Sequence, residues 1–142
     1  MSFSNEFLCD FKPVYEGILA AKGIKPERAV VEVIDEEQEG AGMFEPAGAL
    51  EVLEQIGDDV NTLTIYTDRV AYFRKFAETM YEKNGLVSLI VSKKRLGLAK
   101  KTVGCSSIFL FDFEWNSAFY EKQIALGKHY IPIHKKAWRT AE

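Results

Sequence analysis

The sequence of 142 residues is poor in the side chains that build cross-linked or metal-held folds, with two cysteines, two histidines and four prolines. Cys9 and Cys105 are 96 positions apart (105 − 9 = 96) and neither belongs to a CxxC pair, so we expect reduced thiols. His129 and His134 stand at the two ends of the predicted terminal strand, and their odd spacing directs them to opposite faces. The sequence therefore predicts neither a disulfide nor a metal site.

Long apolar runs are also absent. The longest, such as residues 107–111, fall far short of the roughly 20 residues that span a bilayer. The first twelve residues lack the basic start and the apolar stretch of a signal peptide. Because 47% of the residues are apolar and 27% are charged, the composition is typical of one globular domain, and we expect a cytoplasmic protein with no membrane partner.

Short β-rich runs alternate with stretches of helical periodicity along the whole chain. The predicted strands cover 29–34, 62–66, 86–91, 107–113 and 130–133, and the predicted helices cover 13–22, 46–56, 68–85, 96–103 and 116–126. Parallel strands need crossover helices, so this order predicts a single Rossmann-like α/β domain over residues 1–142. It would be a three-layer α/β/α sandwich with a mostly parallel sheet of about five strands. Pro132 cannot donate to a ladder, which predicts that the last strand lies at a sheet edge.

The helix predicted over 68–85 has the clearest signals. Asp68 is expected to cap its first backbone N–H groups, and Asn84-Gly85 supplies a left-handed stop. The apolar positions of this helix form one stripe, from which we expect Phe73, Ala77 and Met80 to face the sheet. That stripe comprises Val70, Phe73, Ala77, Met80 and Tyr81.

Charge is divided unequally between the two halves of the chain. Residues 1–71 hold 15 acids and 5 bases (5 − 15 = −10), and residues 72–142 hold 6 acids and 13 bases (13 − 6 = +7). If the halves formed opposite edges of one sheet, the molecule would have a dipole that favours association or attracts an anion. The acidic total and the lack of aromatics among the lysines of 93–101 make nucleic acid an improbable partner.

Ligands of open parallel sheets bind beyond the carboxyl ends of the strands, and this rule selects candidate positions. The ligand-binding candidates, which would suit an anionic small molecule, are Asp68, Ser92, Lys94, Arg95 and Glu114. The placement of 92–95 after a strand resembles the Rossmann variant that prefers NADP. The turn at 67–70 contains no glycine, however, so the GxGxxG motif is absent and no cofactor is predicted.

The acids and hydroxyls at the strand ends also suggest a catalytic alternative. The run from Val31 to Glu37 looks like the opening motif of haloacid dehalogenase-type phosphohydrolases, and Thr67, Lys93 and Asp112 follow in the order of the later motifs. The resemblance implies Mg²⁺-dependent phosphoryl transfer. Asp35 would attack phosphorus, Glu37 would be the general acid, Thr67 and Lys93 would hold phosphate, and Asp112 would help to fix Mg²⁺. Here Glu37 stands where that family has a second Asp.

No catalytic motif is complete, so a binding or assembly module is the favoured interpretation, and the enzyme is its alternative. Aromatic residues wrap around more than one face of the 68–85 helix, and aromatics are enriched at protein interfaces. We therefore expect a homodimer at micromolar concentration. Tyr72 and Tyr81 are the candidates for its centre because they lie beside the sheet-facing residues Phe73, Ala77 and Met80 and carry a hydroxyl that tolerates a partly wet contact.

Overall fold

A computed structural model describes residues 10–36, 48–114 and 117–133. It contains four α-helices and five β-strands in the described part of the chain. In chain order the elements are α1 (Lys12–Ala21), β1 (Val30–Ile34), α2 (Ala49–Ile56), β2 (Thr62–Tyr66), α3 (Val70–Asn84), β3 (Val87–Val91), β4 (Ile108–Asp112), α4 (Ser117–Ala125) and β5 (His129–Pro132). Short 3-10 helices cover Pro26–Arg28, Gly57–Asp59, Lys93–Leu98 and Cys105–Ser107.

The five strands form one sheet in the order β3-β2-β1-β4-β5, and every neighbouring pair is parallel. This is the Rossmann strand order, and it confirms the predicted Rossmann-like α/β fold. The direction of the strand order changes between β1 and β4, which makes the carboxyl ends of these two strands the topological switch point. β5 lies at one edge of the sheet, as Pro132 predicts.

Helices cover both faces of the sheet, but unequally. On one face, α1, α2 and α3 pack against alternate strand residues, and fully buried aromatics such as Tyr15, Phe73 and Phe111 fill this larger core. The other face is covered by α4 and the Lys93–Leu98 segment over a smaller cluster that includes Ile34, Leu96 and Leu110. The described helices include none that is long and apolar enough to cross a membrane.

α3 differs from its prediction at its start and on one flank. It begins at Val70 with Arg69 as N-cap, and Thr67 rather than Asp68 accepts the backbone N–H of Arg69 (Oγ1, 3.0 Å). Phe73 and Met80 face the sheet as predicted and Ala77 is half-buried, but Phe76 completes the buried stripe, whereas Val70 and Tyr81 are exposed. Gly85 ends the helix with a φ of 73°, in the left-handed conformation that was predicted.

The prediction of a basic helix over 96–103 is wrong. The chain forms a 3-10 helix over Lys93–Leu98, and residues 99–102 have no regular structure. Gly97, the β-branched pair Thr102 and Val103, and Gly104 with a φ of 97° all disfavour a continuous α-helix here. The predicted start of α2 at Pro46 lies outside the described residues, and the other element boundaries agree within about three residues.

The strand order also removes the expected charge dipole. β1 and β2, from the acidic half of the chain, are central in the sheet, and the strands of the basic half lie on both sides of them. The two halves therefore do not form opposite edges, and the asymmetry along the sequence does not become a charge difference between the two edges of the sheet.

Candidate functional site at the carboxyl ends of the strands

Asp35 is the central polar residue of the switch point. It follows β1 directly, its backbone N–H donates to the Tyr66 carbonyl at 2.9 Å, and its side chain is 1% exposed. Thr67 follows β2 at the neighbouring position, and its Oγ1 donates to Asp35 Oδ2 at 2.7 Å. The structure thus brings together two of the residues that the phosphohydrolase resemblance selected.

Arg69 binds the Asp35 carboxylate with two parallel hydrogen bonds. Its Nε donates to Oδ2 at 2.7 Å and its Nη2 donates to Oδ1 at 3.0 Å. The guanidinium also lies over the ring of Tyr72, 3.8 Å from the centroid. A bidentate pair of this kind is among the stronger side-chain contacts in proteins. Both Asp35 oxygens are therefore occupied by groups of the chain itself.

Glu36 extends this cluster to the start of α2. Its Oε1 accepts the backbone N–H of Ala49 at 2.9 Å, where the partial positive charge of a helix N-terminus favours a carboxylate. Its Oε2 lies 3.1 Å from Arg69 Nη2. A Cβ on Gly48 would clash with that same Oε2, so the glycine leaves the space that the carboxylate fills.

Burial and hydrogen bonding act in opposite directions on the two adjacent acids. Burial would raise the pKa of Asp35, but the hydrogen bonds from Arg69, Glu36 and Thr67 outweigh it and hold that pKa below its usual value. Burial raises the pKa of Glu36, and its hydrogen bond with Asp35 raises it further. The pKa values of the two adjacent acids are therefore shifted in opposite directions, and Asp35 is the stronger acid of the pair.

The remaining catalytic candidates do not join this cluster. Lys93 is buried and its Nζ donates to Glu114 Oε1 at 3.1 Å. Asp112 lies at the register position of Ile34, so its side chain belongs to the opposite sheet face from that of Asp35. There it accepts hydrogen bonds from the Tyr130 hydroxyl and from the Glu114 backbone N–H. Glu37, the proposed general acid, lies outside the described residues.

The ligand-binding candidates have separate positions and partners. Asp68, Lys94 and Arg95 are exposed, and Ser92 Oγ accepts the backbone N–H of Lys94 at 3.2 Å, which caps the 3-10 helix that follows β3. β3 is an edge strand and lies two strands from the switch point. Ser92, Lys94 and Arg95, which follow β3, are therefore not where a dinucleotide would meet the sheet. In the described part of the chain, no three carboxylate, imidazole or thiol groups converge to hold a metal ion.

A second buried ionic cluster lies on the α4 face of the sheet. Lys128 Nζ donates to Glu32 Oε1 at 2.6 Å and to Gln123 Oε1 at 2.8 Å, and all three side chains are buried. It ties the middle of β1 to the end of α4. The partners are up to 96 positions apart, so the sequence carried no signal for this cluster.

Sequence reasoning also missed Arg69, Glu36 and Tyr130 as members of the strand-end clusters. A usable signal existed for Arg69, because it follows the Thr67 that ends a strand adjacent to Asp35, and an arginine there can reach a neighbouring carboxylate. Comparisons of the chain with protein-family models, with curated proteins and with solved structures give no match.

Proposed function

We propose that this protein is an assembly module that acts by pairing with a second copy of itself, and that the polar crevice of its sheet stabilises the fold rather than performing chemistry. The pairing of copies is supported by the exposed apolar residues Val87 and Leu89 on the edge strand β3. The structural role of the crevice is supported by the mutual neutralisation of charge there. Asp35 is bound by Arg69 on both oxygens, and Lys93 is paired with Glu114.

A nucleophilic carboxylate must leave one oxygen free to approach phosphorus. Here an attack by Asp35 would first require the loss of a bidentate ion pair in a buried setting, and the chain supplies the competing cation itself. A metal-assisted reaction also needs acids that converge on one ion, whereas Asp35 and Asp112 belong to opposite faces. These features favour a structural role for the acids.

The alternative, an Mg²⁺-dependent phosphohydrolase, is favoured by one contact, the hydrogen bond between Thr67 and Asp35 on adjacent central strands. The exposed Lys94 and Arg95, which follow the edge strand β3 away from the switch point, are the groups we propose for an anionic small molecule. A cytoplasmic location belongs to the same proposal, and the free thiol of Cys105 is consistent with a reducing compartment.

The test of the proposal is an assay of phosphate release from a generic aryl phosphate with Mg²⁺. We expect no Mg²⁺-dependent release by the wild-type protein above a mock purification. The matched variant is Asp35→Asn, which should change stability and leave the assay at background. Release that depends on Mg²⁺ and disappears in folded Asp35→Asn protein would establish the enzyme instead.

A further inference from the structure

The edge strand β3 has an exposed apolar side that the opposite edge does not have. Val87 is 58% exposed and Leu89 is 59% exposed, whereas every residue of β5 is partly buried and Pro132 interrupts its hydrogen-bonding edge. β3 carries neither a charge nor a proline. Proteins usually protect free sheet edges with such residues, and an unprotected apolar edge tends to pair with another strand.

The backbone of β3 is oriented for pairing. The Val91 carbonyl accepts the N–H of Thr67, so Val91 and the residues that alternate with it direct their backbone groups toward β2. The backbone groups of Ser88 and Ile90 consequently point away from the sheet.

Ser88 also carries an unsatisfied polar atom. Its Oγ is buried and, within the described residues, has no hydrogen-bond partner. The residue lines a groove of about 520 Å³ between β3 and α3, together with residues of the α3 surface such as Lys75, Tyr81 and Glu82. A buried hydroxyl without a partner is unfavourable, so a hydrogen-bond partner for the Ser88 side chain at this edge would stabilise the protein.

We propose that two copies of this chain join through antiparallel pairing of their β3 strands, about a twofold axis at Ser88, to form one ten-stranded sheet. The inference rests on the proposed assembly function and names its surface. In this register the two Ser88 residues form a hydrogen-bonded pair, and one Oγ can donate to the other. Val87 of each copy then lies opposite Leu89 of the other, and the most exposed residues of the edge cover each other.

The same axis makes one pair of charges on α3, Lys75 and Glu82, complementary between the two copies. Both Lys75 and Glu82 line the groove, and their midpoint lies at Glu78 and Thr79. The chain reverses direction at Gly85, so α3 and β3 run antiparallel. The midpoint lies about 10 Å from Gly85 along the helix, and Ser88 lies about 10 Å from Gly85 along the strand, so the two are at the same level. An axis between the two Ser88 residues therefore also passes beside α3 near this midpoint. There Lys75 of one copy faces Glu82 of the other, and the two Glu78 side chains, which also line the groove, face each other. This self-complementarity is why a second copy, rather than an unrelated extended peptide, is the occupant we propose.

The direct test is cysteine cross-linking in the full chain. Opposed residues of a hydrogen-bonded antiparallel pair have Cα atoms about 5.5 Å apart, which suits a disulfide. We expect Ser88→Cys to give a covalent dimer under mild oxidation, and mass spectrometry should find two copies of the β3 peptide joined through the introduced thiols. Wild-type protein and Ala20→Cys, which places a thiol on the exposed side of α1, should stay unlinked.

A second set of variants measures the affinity. Leu89→Glu should raise the dimer dissociation constant by more than about tenfold, while Leu98→Glu, at a comparably exposed leucine away from the edge, should not. Lys75→Glu should weaken the dimer, and adding Glu82→Lys should restore it. A dimer that is unaffected by Leu89→Glu and that Ser88→Cys does not cross-link would overturn this interface and leave the assembly function intact. A wild-type protein that is monomeric throughout would overturn both.

Discussion

The ion pair between Asp35 and Arg69 is the main charge–charge contact of the crevice. The carboxylate is almost fully buried, and the guanidinium side chain is 22% exposed. Taking a carboxylate out of water is unfavourable unless its hydrogen-bonding capacity is satisfied, and three donors from Thr67 and Arg69 do this here. Removal of Arg69 would leave the buried Asp35 carboxylate without its cation, whereas removal of Asp35 would leave Arg69 paired with Glu36.

We therefore expect Arg69→Met to lower the free energy of unfolding by about 3 to 5 kcal/mol at pH 7. Asp35→Asn should also destabilise the protein, by a smaller amount because it leaves no buried anion. Asp68→Asn is the matched control at an exposed neighbour, with an expected change within about 0.5 kcal/mol. Chemical denaturation measures all three, and an Arg69→Met protein as stable as wild type would contradict the structural role of the pair.

The lowered pKa of Asp35 also predicts how this stabilisation depends on pH. A carboxyl whose pKa is lower in the folded state contributes its full stabilisation above the unfolded value of about 3.9, and loses it as the pH falls toward the folded value. The difference in unfolding free energy between wild type and Asp35→Asn should therefore shrink as the assay is moved from about pH 6 to about pH 3. A difference that is constant over this range would contradict the lowered pKa.

At the scale of elements, α3 shows how local signals and tertiary packing share the control of one helix. Phe73 of α3 is 0% exposed and packs in the larger core, between the sheet and the helices α1, α2 and α3. We expect Phe73→Ala to cost about 3 to 5 kcal/mol of unfolding free energy, whereas Arg74→Ala, at the exposed next position, should cost less than about 0.5 kcal/mol. Equal denaturation midpoints for the two variants would show that the sheet-facing side of α3 is assigned wrongly.

The glycines of the helices give a pair of predictions with opposite signs. Gly85 ends α3 with a φ of 73°, so Gly85→Ala places an L side chain in a left-handed conformation and should destabilise by about 1 to 2 kcal/mol. Gly17 lies inside α1 on its exposed side, and a Cβ there meets nothing within 4 Å. Gly17→Ala should therefore stabilise by about 0.5 to 1 kcal/mol. Thermal unfolding of the two variants should shift in opposite directions, and shifts of the same sign would refute this assignment.

Periodicity and stop signals in the sequence were sufficient for most elements. The alternation of strand and helix led to the parallel sheet, and Pro132 led to the edge position of β5, because both depend on local chemistry. The start of α3 and the absence of a helix over 96–103 could not be predicted, because residues with opposite local preferences compete at both places and the sequence does not show which preference prevails. Thr67 accepts the backbone N–H of Arg69, which becomes the N-cap of α3 in place of Asp68. Glycine and β-branched residues oppose the helix former Leu96.

For the whole molecule, strand order decides which strand-end residues meet, and sequence position does not determine that order. Asp35 and Thr67 share a face because β1 and β2 are neighbours in register, whereas Asp112 shares the face of Ile34 and lies away from Asp35. The strand-end candidates included most of these residues, but the sequence could not sort them into clusters, and the cluster of Glu32 and Lys128 joins positions 96 apart. The same strand order leaves β3 as the unprotected edge of the sheet.

Sedimentation equilibrium of the wild-type protein across the micromolar range tests the assembly function most directly. We expect a species of about twice 16.1 kDa that dissociates on dilution. In the proposed dimer, apolar pairing at β3 would supply most of the affinity and the charges of α3 would lie at an exposed rim. Added salt should therefore weaken the dimer less than Leu89→Glu does. A mass of 16.1 kDa at every concentration would contradict the proposed assembly.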